Sequence, residues 1–369
     1  MTSPAPRRRI TFVVSHLSPV LGLEKVTLCL IKALSTTYDV NVIVLGGSEE
    51  DTCLYHGVEV LGTPLRGVRR TLSVIRLLPI VCRQDLGTVI LAGVWAAIPW
   101  LILAPRRVEP TIVWEHTLMS EKLRSSRSIR LLSYLSRILY RRASSIIAVS
   151  AAVGDDMAKY RGIRKVLVIP NVVETPTPHI VAQTCERRVP DPHSLVCVGS
   201  LTSVKSQHLA IRALALLDPA YRLTIIGTGP SLERLRSLAV DLEVDKRTTF
   251  TGFLPPPMIR ATLERASMLV HCSVAETFGL VYTEAANLGV PVLSVLTRTS
   301  KKMIPYYAPG WLCLPEPELI AEMIQTKSNT RISDEDFVVA AERRGVDFGP
   351  TKIQKQWTKL LEDDHGTIH

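Results

Sequence analysis

Short unbroken apolar runs alternate along the chain with segments whose apolar positions return every three to four residues. ITFVVSHL (10–17) reads as a buried strand. EKVTLCLIKAL (24–34) follows it with Val26, Leu28, Leu30, Ile31 and Leu34 at helical spacing. DVNVIVLGG (39–47), LGTVILAG (86–93) and TIVWEH (111–116) read as further strands. An amphipathic helix around 125–142 comes next, then SIIAVS (145–150) and KVLVIPN (165–171). Strand, helix and strand repeated in this way predict a parallel sheet with helices on both faces. Between Pro170 and Pro192 the pattern lapses: five prolines fall there without a sustained period, and 173–192 is expected to be a linker. The alternation restarts with SLVCVGSL (194–201), a helix at 205–217, RLTIIGTG (222–229), a helix at 231–240 and TTFTGFL (248–254). After a helix near 256–266 come SMLVHCS (267–273) and PVLSV (291–295).

The expectation is an α/β fold of two Rossmann-like, doubly wound parallel-sheet domains facing across a cleft. They span 1–172 and 193–350, and a C-terminal helix over 351–369 crosses back to the first domain. In such folds ligands sit at the carboxyl ends of the strands. A length of 369 residues with 46% apolar composition suits two cores, and the 5% aromatic share suits strands of Leu, Val, Ile and Ala. The seven cysteines are scattered without a C-x-x-C pair, so they read as reduced hydrophobes in a cytoplasmic protein rather than a disulfide framework or zinc site. Basic residues precede ITFVV near the N-terminus, but that run is too short for the apolar region of a signal peptide. The longest apolar stretch, VILAGVWAAIPWLILAP (89–105), holds Gly93 and Pro99 and reads as strand, turn and helix, so no membrane span is expected. The net charge of +10 gathers at Arg7–Arg9, RGVRR (66–70) and Lys122–Arg142. A phosphate-bearing partner, an anionic membrane and a plain solvated basic face all stay open.

Candidate chemistry collects at predicted strand ends. Gly22 precedes a helix after the first strand, and Gly227 lies in GTGP between a strand and a helix; either lets a backbone approach a ligand. The G-x-G-x-x-G fingerprint is missing, which argues against a dehydrogenase-type dinucleotide site. Lys205 begins a helix, where the dipole disfavours a cation unless an anion is near. His116 closes the strand TIVWEH at the cleft end. VAETFG is the expected loop between SMLVHCS and the helix of VYTEAANL. Glu276 projects from it, Phe278, Gly279 and Leu280 open the helix, and Glu284 lies within the helix. Free N–H groups at a helix start suit phosphate oxygens, and a glutamate accepts from sugar hydroxyls.

The stretch E-T-F-G-L-V-x-x-E-A-x-x-x-G-V-P-V resembles the glutamate-x7-glutamate motif of the retaining GT-B glycosyltransferases, most closely family 4. VGSLTSVKSQHLAIRAL, LTIIGTGPSLERLRSL and RTTFTGFLPPPMI resemble, in order, further segments of that family. The resemblance implies transfer of a sugar from a nucleoside-diphosphate sugar to an acceptor hydroxyl, with the donor in the C-terminal domain and the acceptor in the N-terminal one. It also implies that Glu276 holds the donor sugar's hydroxyls and Glu284 those of the ribose. Lys205 neutralises the diphosphate, helped by backbone N–H groups at Gly279 and Leu280 and near Gly22, and His116 lies by the transferred sugar and acceptor. No cofactor or bound metal is implied; Asp334 and Asp336 follow Ser333 and read as a helix start. The chain departs from the family at Ser200, where many members carry a second cation as arginine, and at Leu21-Gly22 in place of a glycine pair.

The alternative is a catalytically silent nucleotide-sugar-binding protein. A nucleic-acid partner is not expected, because it leaves the glutamate motif unexplained. The acceptor is either a small molecule or lipid-linked. In the segment 121–144, Ile129, Leu132, Leu135, Ile138 and Leu139 share one face among six arginines. That stripe packs on its own sheet or docks an anionic membrane, the latter making the protein peripheral at the inner membrane face.

Overall fold

The computed structural model describes residues 7–15, 22–45, 58–60, 78–82, 85–103, 110–122, 127–328 and 330–363. The basic segment at 66–70 and the side chains of 121–129 lie outside what is described. The chain divides into two compact units, one of Met1–Val172 with Pro350–His369, the other of Val173–Gly349.

Among the described residues of the first unit seven parallel strands form one sheet: β1 (Arg9–Val14), β2 (Asp39–Val44), β3 (Val58–Val60), β4 (Thr88–Ala92), β5 (Thr111–Glu115), β6 (Ser145–Ala148) and β7 (Leu167–Val168). Their order is β3-β2-β1-β4-β5-β6-β7, so the winding reverses between β1 and β4. All five residues of β4 are buried, as a parallel strand covered on both faces requires. Gly93 and the helix Val94–Leu103, with Pro99 inside it, follow directly, so 89–103 is the strand, turn and helix that its composition predicts. The C-terminal helix Pro350–Asp363 packs in this unit. It buries Ile353, Trp357, Leu360 and Leu361 along one side, and Gln354 Nε2 donates to Thr36 Oγ1 at 2.7 Å.

The second unit holds six parallel strands, β8 (Asp191–Val198), β9 (Arg222–Ile226), β10 (Thr248–Gly252), β11 (Ala266–His271), β12 (Val292–Val295) and β13 (Gly310–Cys313), in the order β10-β9-β8-β11-β12-β13. Strand periodicity sorts its core into two layers. Leu195, Cys197, Met268, Val270, Leu293 and Val295 enter the layer with helix Gln207–Leu216. Val196, Leu269 and Val292 enter the opposite layer with Tyr282, Phe337 and Phe348. Ser333 caps the helix Asp334–Phe348 by accepting from Asp336 N at 3.1 Å, so the two aspartates stand in a helix's first turn.

Three expectations are corrected. The segment 173–192 is not a linker: Pro178–Arg187 is a helix, and β8 already begins at Asp191. Proline at the first helical position removes an N–H that has no intrahelical partner anyway. Thr177 caps the helix, and Val181 and Cys185, four apart, enter the core. Of the strand foreseen at 165–171 only Leu167–Val168 pairs. The helix foreseen over 125–142 is Arg127–Leu139 with a 3₁₀ turn at Tyr140–Arg142, and its inward face differs from the apolar stripe. Ser133, Ser136 and Tyr140 are buried, Leu132, Leu135 and Leu139 are half-buried, and Leu131, Tyr134 and Ile138 are exposed. Neighbouring elements decide this: the helix packs on Val94–Leu103 and on the turn Met157–Arg161. Ser136 can be buried there because its hydroxyl donates to the Ser133 carbonyl at 2.8 Å.

Candidate active site

In the second unit the winding reverses between β8 and β11, the place where open α/β sheets receive ligands at their carboxyl ends. Each of these strands delivers one charged group there. Past β8, the 3₁₀ turn Ser203–Lys205 carries Lys205; past β11, the loop to helix Leu280–Ala286 carries Glu276. Val274 N donates to Val204 O at 3.1 Å and Ser273 Oγ to the same carbonyl at 3.5 Å, which ties the two loops together. Lys205 Nζ then lies 2.6 Å from Glu276 Oε2. The same oxygen accepts from His271 Nε2 at 3.1 Å, Glu276 Oε1 accepts from Thr277 N at 3.1 Å, and Thr299 Oγ1 donates to the Glu276 carbonyl at 2.5 Å. Glu276 is 11% exposed. Burial pushes its pKa upward, but the His271 hydrogen bond and the Lys205 charge outweigh that and hold the carboxyl well below its usual range. Burial lowers His271, although Glu276 opposes the shift, so the ring is neutral and donates through Nε2. Tyr282 stands edge-on to His271 at 4.9 Å and shares a hydrogen bond with Ser294 Oγ at 3.0 Å.

Gly279 adopts φ +85°, and a Cβ there would lie 2.3 Å from the Tyr282 ring, so glycine is required for the loop to turn into the helix. Glu284 sits half-buried in the second turn. The Phe278 side chain is 5% exposed and packs edge-on against Phe348 at 5.2 Å, so only its backbone is placed to face a donor. Gly227 serves the packing of neighbouring loops, because a Cβ there would meet the Gly199 carbonyl oxygen at 2.0 Å. Ser200 is exposed, and its carbonyl accepts from Gln207 Nε2 at 3.0 Å.

In the first unit Gly22 is the exposed first residue of helix Gly22–Leu34. His116 directly follows β5. Its backbone N–H donates to Glu115 Oε1 at 3.0 Å, as does that of Thr117 at 2.9 Å. Glu115 Oε2 accepts from Arg161 at 2.6 Å and from the Tyr140 hydroxyl at 2.8 Å, with the Arg161 and Glu115 side chains fully buried. Burial raises the Glu115 pKa, but Arg161 more than offsets it and the carboxyl stays ionised. A buried arginine–glutamate–tyrosine network therefore clamps the backbone that carries His116. Trp114 stands edge-on to the His116 ring at 4.3 Å and to Trp357 at 5.5 Å. Burial lowers the His116 pKa to about 3, so its imidazole is neutral, and Nε2 is enclosed without a hydrogen-bond partner among the described residues.

The structure thus brings Lys205 and Glu276 together and adds His271 and Thr299, neither of which the sequence reading singled out. His271 had a readable signal, a histidine at a strand's carboxyl end five residues before Glu276. Thr299 had none, since it approaches from beyond β12. Glu115, Tyr140 and Arg161 lie too far apart in sequence to be grouped without the fold. Among the described residues, no group of three or more His, Cys, Asp or Glu side chains could hold a metal ion.

Residues 186–344 match the family model described as Glycosyl transferases group 1, and residues 20–176 match that of Glycosyltransferase Family 4. A glycogen synthase of Mycobacterium tuberculosis is 34% identical over 161 residues, 42% of this chain and 38% of that protein. The chain spans less than half the length of the first curated relatives it matches. Among solved structures, an Anabaena protein, HepE, in complex with UDP-glucose superposes with a TM-score of 0.76 at 20% identity, covering 97% of this chain and all of that one. Sucrose-phosphate synthase of Thermosynechococcus elongatus superposes with a TM-score of 0.78 at 18% identity, covering 96% and 99%.

Proposed function

Because the chain belongs to the family 4 type of glycosyltransferases with the GT-B fold, we propose that it moves a sugar, with retention, from a nucleoside-diphosphate sugar to an acceptor hydroxyl. One observation carries the reading: a lysine and a glutamate paired at 2.6 Å on the adjoining strand ends where the winding of the second unit reverses. A carboxylate held ionised at that place accepts hydrogen bonds from sugar hydroxyls, the role of Glu276. An ammonium has three N–H donors, and Lys205 spends one on Glu276. The others are available to the diphosphate, whose charge grows as it leaves. Glu284 takes the ribose hydroxyls. Backbone groups near Gly22, Gly227, Gly279 and Leu280 approach the donor, and no metal or cofactor takes part.

The acceptor oxygen attacks the anomeric carbon on the face from which the phosphate leaves. The carbon–phosphate oxygen bond breaks, and the hydroxyl proton passes to the departing phosphate. The first unit binds the acceptor, either a small molecule or lipid-linked, with His116 beside it and neutral. We place the protein in the cytoplasm. The UDP-glucose bound to the Anabaena protein makes uridine donors the first to test. Purified protein is expected to hydrolyse or transfer from at least one donor in a panel of nucleotide sugars. If none is turned over and none binds, the proposal fails. A second reading, a silent nucleotide-sugar binder, is favoured by Ser200, which leaves Lys205 without the second cation many relatives have; binding without turnover would establish it.

A further inference from the structure

We propose that the outer face of helix Arg127–Leu139 and its following turn docks the protein peripherally on an anionic lipid bilayer. The inference goes beyond sugar transfer and does not depend on it. Surface helices bury their large apolar side chains and expose polar ones. Here two serines, Ser133 and Ser136, take fully buried positions beside half-buried Leu132, Leu135 and Leu139, while Leu131, Tyr134 and Ile138 are left 59%, 60% and 48% exposed. Positions 131, 134 and 138 are three and four apart, so they line one face. Arg130, Arg137 and Arg141 are exposed beside that face, and none is ion-paired with a described residue. The helix Val94–Leu103, on which this one packs, exposes Trp95 and Ile102 as well.

Charge selects the occupant. From Arg127 to Arg142 there are five arginines and no aspartate or glutamate. The buried centre of a protein–protein interface is depleted in charge, so a protein partner would have to desolvate or match these cations. A bilayer needs neither. Leu131, Ile138 and the Tyr134 ring enter the boundary between headgroups and acyl chains, and Arg130, Arg137 and Arg141 extend to lipid phosphates. With 13 residues at about 1.5 Å each, the helix is roughly 20 Å long and suits an orientation in the membrane plane. No helix among the described residues is long and apolar enough to cross a membrane, which accords with surface contact.

The test is sedimentation of the full chain with vesicles of phosphatidylcholine alone or mixed with phosphatidylglycerol, at low and high salt. The wild type is expected to pellet with the anionic vesicles, less so in high salt, and not with neutral ones. The Leu131→Ser/Tyr134→Ser/Ile138→Ser variant should bind at least about tenfold more weakly with its melting temperature unchanged. Arg130→Gln, which removes no apolar surface, should weaken binding about fivefold. Failure of the wild type to bind anionic vesicles would overturn the proposal, as would equal binding by both variants. So would a concentration-dependent dimer that the triple variant abolishes while vesicle binding is nil. Nucleotide-sugar turnover, measured separately without vesicles, keeps this outcome distinct from the transfer reaction.

Discussion

Lys205→Met tests the pair at the centre of the proposed donor site. Lys205 Nζ and Glu276 Oε2 are 2.6 Å apart, with side chains 25% and 11% exposed. Removing one partner of a fully buried pair costs ~3–5 kcal/mol, because the other charge is stranded; with a quarter of the lysine in water, about 2–3 kcal/mol is expected. Glu276→Gln strands a lysine that reaches solvent and should cost less, about 1–2 kcal/mol. The double variant strands neither charge, so the two costs should fall short of adding by about 1–2 kcal/mol. Denaturant titration gives the stability cycle, and donor turnover gives the parallel one, where 2 kcal/mol is roughly 30-fold in kcat/KM. A second signature comes from His271. Burial is the main cause of its low pKa and Lys205 adds to it, so Lys205→Met should move the His271 resonances to a higher titration midpoint. Additivity within about 0.5 kcal/mol in both cycles, with His271 unmoved, would refute a functional coupling of the pair.

Two further outcomes follow from the first unit. Glu115→Gln leaves Arg161 buried without its counter-charge and should lower stability by about 3–5 kcal/mol; a loss under about 1 kcal/mol by urea titration would show that the network does not clamp the His116 backbone. Stability should also fall on the acid side. His116 has a folded pKa of about 3, below its ordinary 6.5, so the unfolded chain takes up that proton first. Its contribution is full above pH 6.5 and is lost as pH falls from there toward 3. Glu115 and Glu276, both lowered from 4.5, add losses of the same sign below that value. Melting temperatures should be level above pH 7 and decline below 6.5, less steeply in His116→Asn; a level profile down to pH 5 would contradict the buried neutral ring.

Most strands of both sheets were legible because buried parallel strands are unbroken apolar runs, and because the covering helices repeat at their own period; β3 and β13, three and four residues long, were not foreseen. The glutamate motif was legible for another reason: its residues are contiguous, so spacing alone places Glu276 in a loop and Glu284 in the next helix. The segment 173–192 misled because proline density was read without position. Pro178 occupies the one helical site where its missing N–H costs nothing.

The sequence by itself determined the winding of the two units and the chemical character of the Glu276 loop, since both depend on local period and residue type. Only the tertiary structure decided what depends on contact across the chain. It joined Lys205 and His271 to Glu276 over sequence separations of 71 and 5 residues, and Arg161 and Tyr140 to Glu115 over 46 and 25. It also turned the Arg127–Leu139 helix with Ser133 and Ser136 inward. A helix's own pattern ranks its faces by hydrophobicity. Which face is buried is set by the shape and polarity of the neighbours it must pack against.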